Sequence, residues 1–561
     1  MTAPEVNDFE YQFSHVLNQV PRLLSLQDNN PASPSHGCFH YAYWRDKTSE
    51  FSDARFQEAG AALGLLTHPT LIDRVPEAYQ SRLAPAFLAG LKNWGVQQHA
   101  DGSFDEWYKH EHGFAATEFT LIAYGLAMYH LGEQAGEEAW ELFRPTALKA
   151  ARWLEYRDDM VKMNHEMAGA AALAIASKVL REPDFMKAAS QKHQTVLNRQ
   201  RQEGWFNEIN GMDLGYCSVL LDYAMLYRLF SEDSSGTAAM IKLYAFLEPS
   251  IQKDLTILPE SGLCLNPYVS RLGTLLLSPD SEEAKNVTSR FARFSPEQEG
   301  VGPYLMDDLR LCRWSYLPIC TILELGEEMD PVGQLHAIAE ERTESFKESN
   351  LVAVQRKDWS MSFAPCGGGG VKIVHMKEGY PWSITDLGYR IAMNGECFSS
   401  AGYDPSRPVE KAGELSWKLK VSFAPTSFMF PGFISRLGLR VLGAIPGFPK
   451  YLRMGIDLYR KINKTALNQS AAPVASNNAV YTLERQVRVE GQNVVIEDQL
   501  ISREGYSIKS NDLQLSGHLG SKHGEYQEQL KSLGTAKTLH ITKTFQLEGE
   551  PSVDTTFALG S

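Results

Sequence analysis

Residues 160–180 read MVKMNHEMAGAAALAIASKVL, a run of small and apolar residues with one polar cluster, Asn164-His165-Glu166, at its front. Apolar residues on every side of a helix are typical of a helix that is buried all round. We therefore predict that this stretch is an inner helix of a helical domain. Its polar front should lie at one end of that domain.

The same texture recurs along the first part of the chain. Helices rich in small and aromatic residues are predicted to begin near Asp53, Ala115, Asn164 and Asp213, at intervals of roughly 50 to 60 residues. More polar amphipathic stretches occupy 76–92, 135–155 and 184–200. An inner apolar helix alternating with an outer solvated helix is the rhythm of stacked αα-hairpins.

The loops before the inner helices should gather at one rim, because short-looped antiparallel hairpins make the inner helices parallel to one another. Two of these loops share a motif, DGSFDE at 101–106 and EGWFNE at 203–208. The predicted rim comprises residues 45–55, 101–112, 164–166 and 205–216.

The pattern changes near residue 350. From LVAVQRKDWSMSFAP onward, short alternating segments are broken by Gly, Asn and Pro, which favours strands. AVYTLERQVRVEGQNVVIEDQLIS is predicted to form two strands joined by EGQN, and KTLHITKTFQLEG to form one. We predict a helical domain over 1–348 and a largely β domain over 349–561. An insertion is expected at about 405–475. Its segment 431–464, basic and amphipathic in parts, is expected to pack on the helical domain rather than to touch a membrane or a partner.

Composition narrows the possible partners. A formal net charge of -14 argues against binding to nucleic acid or to an anionic membrane surface. Seven scattered cysteines lack the spacing of a zinc site or a disulfide framework. The N-terminus lacks the pattern of a signal peptide, and no segment is apolar enough to span a bilayer, so we expect a soluble cytoplasmic protein.

Each candidate catalytic residue also has a purely structural explanation. Asn164 fits a helix N-cap as well as a functional amide donor. In the first turn, the helix dipole would keep His165 neutral and available as a base, although an exposed histidine there needs no function. Tyr216 fits either a core aromatic stripe with Tyr223 and Tyr227 or a functional rim position.

The rim loops are unusually rich in aromatic, basic and polar residues of the kind that bind sugars. His110 and His112 could in principle ligate a metal, but they have no third partner in sequence, and we expect no metal site. PCGGGG at 365–370 lacks the Lys-Ser/Thr of a phosphate loop and is expected to form a β turn. The candidate substrate-binding residues are Arg45, Arg55, Trp107, Tyr108, His110, His112, Trp205, Glu208 and Arg271.

With Asn164-His165 on one inner helix, a rim tyrosine about 50 residues later and a β domain behind, the chain resembles the heparinase II/III-like and alginate-lyase-like polysaccharide lyases. The resemblance covers essentially the whole chain. It implies an incomplete (α/α) toroid of helical hairpins followed by an antiparallel β-sandwich. It also implies that Asn164 and His165 neutralise a substrate uronate and that Tyr216 transfers protons. A further Tyr or His from the β domain would be His375 or, second, Tyr380.

The implied reaction is metal-independent β-elimination at a 4-linked uronate, with no cofactor and with an acidic polysaccharide or oligosaccharide as the substrate. The proton on C5 is weakly acidic until the neighbouring carboxylate is neutralised, which an amide and a nearby cation can do. Tyr216 would protonate the departing O4 or, as tyrosinate, take the C5 proton, and His165 is the other possible base. The sequence does not indicate the oligomeric state.

Two other functions remain open from sequence. A glycoside hydrolase on the same toroid would use two carboxylates as acid and base. A non-catalytic protein could instead keep the aromatic cleft for glycan binding or assembly, because one scaffold hosts many sites. The carboxylates available to a hydrolase are Asp101, Asp105, Glu106, Glu208 and Asp213.

Overall fold

The computed structural model describes residues 8–208, 211–258, 269, 271–291, 306–325, 341–377, 380–393, 396–401, 407–425, 437, 441, 479–519, 522–548 and 551–560. For residues 8–15, 291, 325, 366, 367, 377, 380 and 381 it describes the backbone alone.

Helices fill the first part of the chain. They are α1 (Asp8–Leu26), α2 (Tyr41–Trp44), α3 (Glu58–Leu65), α4 (Pro69–Ile72), α5 (Glu77–Gln97), α6 (Phe114–Leu131), α7 (Glu137–Glu155), α8 (Met163–Leu180), α9 (Asp184–Leu197), α10 (Leu214–Ser231), α11 (Thr237–Leu247), α12 (Leu272–Leu277), α13 (Glu282–Phe291), α14 (Asp308–Trp314) and α15 (Tyr316–Leu325). A 3-10 turn, Ala54–Gln57, leads into α3.

The inner helices form one contiguous layer. Helices α3, α6, α8, α10, α12 and α15 contact one another in that order, and α15 returns to α3. Small residues permit the close approach: a Cβ added to Gly125 of α6 would lie 2.7 Å from Ile175 of α8. All four predicted inner-helix starts are confirmed, because α3 with its 3-10 turn, α6, α8 and α10 begin at these points.

The outer layer consists of α5, α7, α9, α11 and α13, which pack against the inner helices and against one another. The alternation of burial along α7 and α9 shows why they lie outside, since each buries one stripe and exposes the other. The three predicted amphipathic stretches correspond to α5, α7 and α9.

Strands dominate after residue 341. They are β1 (Arg342–Phe346), β2 (Leu351–Gln355), β3 (Trp359–Ala364), β4 (Gly370–Lys377), β5 (Tyr380–Met393), β6 (Glu396–Ser399), β7 (Glu410–Gly413), β8 (Ser416–Ser422), β9 (Ala424–Pro425), β10 (Tyr481–Glu490), β11 (Asn493–Ser502), β12 (Ile508–Lys509), β13 (Leu513–His518), β14 (Thr535–Ala536), β15 (Thr538–Gln546) and β16 (Ser552–Gly560). Two short helices, α16 (Cys366–Gly369) and α17 (His523–Lys531), lie between them.

The strands form two large antiparallel sheets that share one core. The first has the order β1-β2-β3-β4-β5-β6-β9, with β13 also paired to β5, and the second has the order β16-β15-β11-β10-β8-β7. Side chains from both sheets form a single hydrophobic cluster, as expected of a sandwich. The predicted order of a helical toroid followed by antiparallel sheets is confirmed, as is the β10–β11 hairpin across EGQN.

The observed strands lie differently from the expected domain limits at two places. Strand β1 begins at Arg342, ahead of residue 349, because its backbone pairs with β2. Within the expected insertion, β7 and β8 belong to the second sheet, where β8 pairs with β10. Most of the remaining insertion, 426–436 and 442–478, lies outside the described residues.

The first sheet packs against the helical domain through the loop that follows α11. Gln252 donates its side-chain N–H to Ser362 Oγ at 2.6 Å, and the Lys253 backbone N–H donates to Ser360 Oγ at 2.9 Å. Ser360 and Ser362 therefore mark the face of β3 that is turned toward the helices. No helix in the described part of the chain is long and apolar enough to cross a membrane.

Candidate functional site

The loops that precede the inner helices are joined to one another. The Ala54 N–H donates to the Asp105 carbonyl at 2.9 Å, and the Met163 N–H donates to the Asn207 carbonyl at 3.3 Å. Arg313 of α14 adds a third link, with its Nη2 2.7 Å from Glu106 Oε1 and 3.5 Å from Asp53 Oδ2. These contacts join residues 45–55 to 101–112 and the start of α8 to residues 205–216. Phe119 of α6 connects the two pairs, because its ring packs against both Arg55 and His165.

Asn164 is held at this rim by Glu208. The backbone N–H of Asn164 donates to Glu208 Oε1 at 2.8 Å, and its side-chain Nδ2 donates to Oε2 at 2.6 Å. The N-cap of α8 is Lys162, so the capping explanation for Asn164 is wrong. Burial raises the pKa of Glu208 well above its usual value. One N–H of the Asn164 amide group remains for a further acceptor.

His165 lies beside Asn164 in the first turn of α8, packed edge-on against Phe119. Its Nδ1 is 3.0 Å from Asp159 Oδ2 and 3.8 Å from Glu118 Oε1. Burial lowers the pKa of His165 below its ordinary value, so the ring is neutral at pH 7. A carboxylate beside Nδ1 favours the tautomer with the proton on Nδ1, which leaves the lone pair on Nε2.

Lys162 is a cation at this site that the sequence analysis missed. It is half-buried, and its ammonium group interacts electrostatically with His165, Asp159 and Glu208. Its position two residues before Asn164 in MVKMNHE is the sequence signal that could have identified it.

Tyr216 lies one turn into α10, where the side chain of Asp213 caps the helix by accepting the Tyr216 backbone N–H at 2.9 Å. The Tyr216 side chain is half-buried, whereas Tyr223 and Tyr227 farther along the helix are buried. Asp213 interacts electrostatically with Glu208, which in turn binds Asn164. The start of α10 is thereby coupled to the start of α8.

Arg55 is half-buried at the rim. Its guanidinium group lies 3.9 Å above the ring of Phe119, and its Nε is 2.5 Å from Glu58 Oε1. The pKa of the neighbouring Asp53 is raised to about 7, chiefly by burial. Arg55 is thus near His165 through Phe119 but is already engaged by a carboxylate.

The 99–113 loop presents two exposed aromatic side chains. Trp107 is 69% exposed and Tyr108 is 51% exposed. Glu111 fixes the loop by accepting the N–H groups of Glu106 and Trp107. A hydrogen-bonded loop that exposes rings at the rim is suited to stacking on sugar.

The predicted substrate-binding histidines of this loop have structural partners. The backbone N–H groups of His110 and His112 donate to the two carboxylate oxygens of Asp105. The His112 Nδ1 lies 2.9 Å from Asp101 Oδ2, and its ring stacks on His99. Among the described residues, no group of three or more His, Cys, Asp or Glu side chains is arranged to hold a metal ion.

The carboxylates that a hydrolase would require are all engaged. Asp105 accepts from the 99–113 loop, Glu106 pairs with Arg313, and Glu208 binds Asn164. Asp213 caps α10, and Asp101 accepts from Ser103 and Trp153. These contacts assign to each of the five carboxylates a role in holding the rim together.

Three other predicted substrate-binding residues are either buried or lie apart from Asn164. Trp205 is only 4% exposed and belongs to the helical core, and the guanidinium group of Arg201 lies over its ring at 5.2 Å, where a sugar would have to stack. Arg45 is exposed in a groove of about 500 Å³ that is lined by Tyr41, Trp44 and Asp308 among others, but not by Asn164, His165 or Tyr216. Arg271 precedes α12, on the far side of α10 from α8.

The expected contribution from the β domain is not found at His375. His375 pairs with Trp359 across the β3–β4 ladder, and Trp359 belongs to the sandwich core. Because side chains alternate along a strand, His375 lies on the face opposite Lys372, which pairs with helix-facing Ser362. His375 therefore points away from the helical domain. Tyr380 begins β5, but its side chain lies outside the described residues.

Glu118 is the second residue that the sequence analysis missed. It is fully buried, and neither carboxyl oxygen has a hydrogen-bond partner among the described residues. Burial and the neighbouring Asp159 raise its pKa well above the usual value. It is the one Asp, Glu, Lys or Arg in the apolar sequence of α6, FAATEFTLIAYGLAMYHL, and this isolation was the available signal.

No family model matches the chain, and no curated protein matches it. Among solved structures, it is similar to heparinase III at 9% identity and a TM-score of 0.45, covering 97% of this chain and 88% of that one. It is also similar to a Streptomyces coelicolor A3 chondroitin AC lyase at 8% identity and a TM-score of 0.41, covering 88% and 90%. A heparan sulfate lyase HepC mutant from Pedobacter heparinus gives 9% identity and a TM-score of 0.32, covering 85% and 68%.

Proposed function

We propose that the protein is a polysaccharide or oligosaccharide lyase that cleaves a 4-linked uronate glycan by β-elimination. The observation that carries the proposal is the pairing, in the first turn of α8, of an anchored amide with a neutral imidazole. Glu208 anchors Asn164, and Asp159 lies beside Nδ1 of His165. An amide donor and a base side by side are what the first step of β-elimination requires.

In the proposed first step, the substrate carboxylate lies against the remaining N–H of Asn164 and the ammonium group of Lys162. Neutralising this carboxylate makes the proton on C5 more acidic, because the negative charge that develops during its removal spreads onto the carboxylate. The first backbone N–H groups of α8 contribute little here, since Asn164 N–H binds Glu208 and Met163 N–H binds Asn207.

His165 is the base in this proposal. Its Nε2 takes the C5 proton, and the resulting imidazolium is stabilised by Asp159 on the Nδ1 side. Tyr216 then gives its phenolic proton to the departing O4, so that the C4–O4 bond breaks and a C4–C5 double bond forms. Transfer of the proton from His165 to the tyrosinate, directly or through water, returns both groups to their starting states.

The exposed rings of Trp107 and Tyr108 supply a stacking surface for neighbouring sugars in the same glycan. They lie on the loop that enters α6, and α6 and α8 are adjacent inner helices. A chain bound at Asn164 would therefore extend along the rim toward these rings.

A screen of uronate-containing oligosaccharides tests the proposal. We expect absorbance from a new C4–C5 double bond to rise together with reducing ends, with one unsaturated end per cleavage. Reducing ends without this absorbance would identify a hydrolase and overturn the proposal. Saturable binding with neither signal would identify a glycan-binding protein.

A further inference from the structure

Two carboxyl groups lie close to one nitrogen of His165. Asp159 Oδ2 and Glu118 Oε1 lie 3.0 Å and 3.8 Å from Nδ1. Asp159 is half-buried near the surface, whereas Glu118 is fully buried in α6 and has no hydrogen-bond partner among the described residues. The function proposed above uses Asp159 and leaves Glu118 without a role.

We propose that Glu118 and Asp159 share one proton and together act as the single negative counter-ion of His165. In this arrangement Glu118 is a positioning residue. Its carboxyl group stays neutral, while the ionised Asp159 faces Nδ1 of His165 at 3.0 Å. The ring therefore faces one negative charge, and its proton stays on Nδ1.

The surroundings of Glu118 support a neutral acid there. An ionised carboxylate with no partner is costly to bury, and two carboxylates around one small space seldom ionise together. Burial, with Asp159 as the next cause, raises the pKa of Glu118 well above its usual value, whereas the pKa of Asp159 is lowered through its contact with His165. The proton of the pair therefore resides mainly on Glu118.

None of the charged groups that the structure describes around Glu118 is free to stabilise it as an ionised carboxylate. They come from the 3-10 turn before α3, the loop before α8, α8 itself and α9, and they are Arg55, Asp159, His165, Glu166 and Lys192. Both cations among them are committed elsewhere: Arg55 pairs with Glu58, and Lys192 pairs with Glu166 and Asp158. Glu118 is thus not the ion-pair partner of either one.

If the two carboxyl groups share one proton, either of them alone can serve as the negative counter-ion of His165. In Asp159→Asn, Glu118 would lose its negative neighbour and could ionise 3.8 Å from Nδ1, taking over the role of Asp159. In Glu118→Gln, an uncharged amide would replace the neutral acid and Asp159 would keep its charge. Removing both carboxyls would leave the imidazolium without a counter-ion.

The test is a double-mutant cycle read by nuclear magnetic resonance on ¹⁵N-labelled histidine, with His165→Gln used to assign the signal. We expect the tautomer and pKa of His165 to change little in Glu118→Gln or Asp159→Asn alone. In the double variant we expect a lower pKa and a mixture of tautomers. Because this readout needs no substrate, it remains decisive even if the proposed lyase function fails.

Activity provides the second readout and rests on His165 being the base of the proposed lyase. We expect each single variant to lose at most about tenfold in kcat and the double variant at least about a hundredfold, within the range for a general base. KM should be unchanged, because neither carboxyl contacts the substrate.

Two results would overturn the shared proton. The first is a lowered His165 pKa in Glu118→Gln alone, because this would mean that Glu118 carries a negative charge in the native protein. The second is a double variant whose His165 signals match those of Asp159→Asn. If the double variant does not fold, the Glu118→Gln measurement alone still decides between a neutral and an ionised Glu118.

Discussion

Glu208 accepts two hydrogen bonds from Asn164, one from its backbone at 2.8 Å and one from its side chain at 2.6 Å. This pair joins the first turn of α8 to the loop that enters α10, across 44 residues of sequence. The amide is oriented with its nitrogen toward the carboxyl group of Glu208, to which it donates. Asn164 is therefore a positioned donor, and its surroundings predict how it responds to substitution.

The first prediction concerns Asn164→Asp. The new carboxylate would face Glu208 in a buried position, so we expect a loss of about 1 to 3 kcal/mol in the free energy of unfolding. Adding Glu208→Gln should restore much of this stability, because the glutamine amide can donate to the introduced carboxylate while its oxygen accepts the backbone N–H. Urea denaturation of the two variants measures both effects.

Turnover by the same two variants distinguishes the proposed role of the Asn164 amide in substrate binding from its structural role as the partner of Glu208. The double variant should remain inactive on uronate glycans, because the introduced carboxylate repels the carboxylate of the substrate. Restored stability together with restored turnover would show that Asn164 serves only to hold the loop.

A second prediction concerns Tyr216→Phe. The ring remains while the phenolic proton is lost, so we expect turnover to fall by roughly 100- to 10,000-fold with substrate binding nearly unchanged. Tyr227→Phe is the matched control on the same helix, because its hydroxyl donates to Asp233 at the far end of α10. This control should keep full turnover. Equal activity in the two variants would return Tyr216 to the core aromatic stripe.

The helical architecture was predictable because its signal is local and repeated. The apolar texture of α3, α6, α8 and α10 follows from burial on all sides, and the amphipathic texture of α7 and α9 from burial on one side. Strand pairing within β10–β11 was equally local, since the two-residue connection Gly491-Gln492 sets its register. The predictions of these helices and strands were correct because each element depends on residues that are close to it in sequence.

The site was only partly predictable because its contacts are distant in sequence. Asparagine is a residue type common at helix N-caps, so the sequence alone suggested that role for Asn164. Its actual partner, Glu208, can be identified only from the structure, in which α8 lies beside α10. Tryptophan is a residue type that often stacks on sugars, but the packing of the helical layer buries Trp205. Predicting which face of the sheet His375 occupies required the pairing register of β3 and β4. A shift of one residue in that register would place His375 on the opposite face.

A third prediction concerns pH. His165 must be neutral to accept a proton, and burial lowers its pKa below the ordinary 6.5. We therefore expect kcat/KM to hold as pH falls to 6.5 and to decline only below it, as a pH–rate profile would show. A fall in kcat/KM that already begins above pH 6.5 would contradict a lowered pKa for His165 as the base.

The pH dependence of stability follows the same sign at His40, whose pKa burial lowers from 6.5 to about 4. Below pH 6.5 the unfolded chain takes up a proton that the folded ring refuses, so stability is lost from 6.5 down to about 4. His40→Asn should remove this contribution, because its Oδ1 can accept the Asp53 N–H without titrating. The difference between the unfolding curves of the two proteins isolates the effect.

A fourth prediction concerns the buried charges of the sandwich. Arg485, Lys543, Asp386 and Asp498 are fully buried and mutually paired, with Arg485 Nε 2.7 Å from Asp498 Oδ1. Arg485→Met would leave the carboxylates undercompensated and should cost about 3 to 5 kcal/mol of unfolding free energy. Arg488→Met, on the outer face of the same strand, removes a partly exposed pair with Glu497 and should cost at most about 1 kcal/mol. Equal losses measured in urea would contradict the distinction.

The last prediction uses two tryptophans of the rim loops that differ in exposure. Trp107 is 69% exposed, so Trp107→Ala should leave the thermal unfolding midpoint unchanged while raising KM for long oligosaccharides more than for the shortest cleavable one. Trp205 is 4% exposed, so Trp205→Ala should destabilise the fold by about 3 to 5 kcal/mol. The contrast is informative because one type of side chain is removed in both variants. A Trp107→Ala variant with unchanged KM at every chain length would show that the exposed ring does not contact the glycan, and the stacking surface would then have to lie elsewhere on the rim.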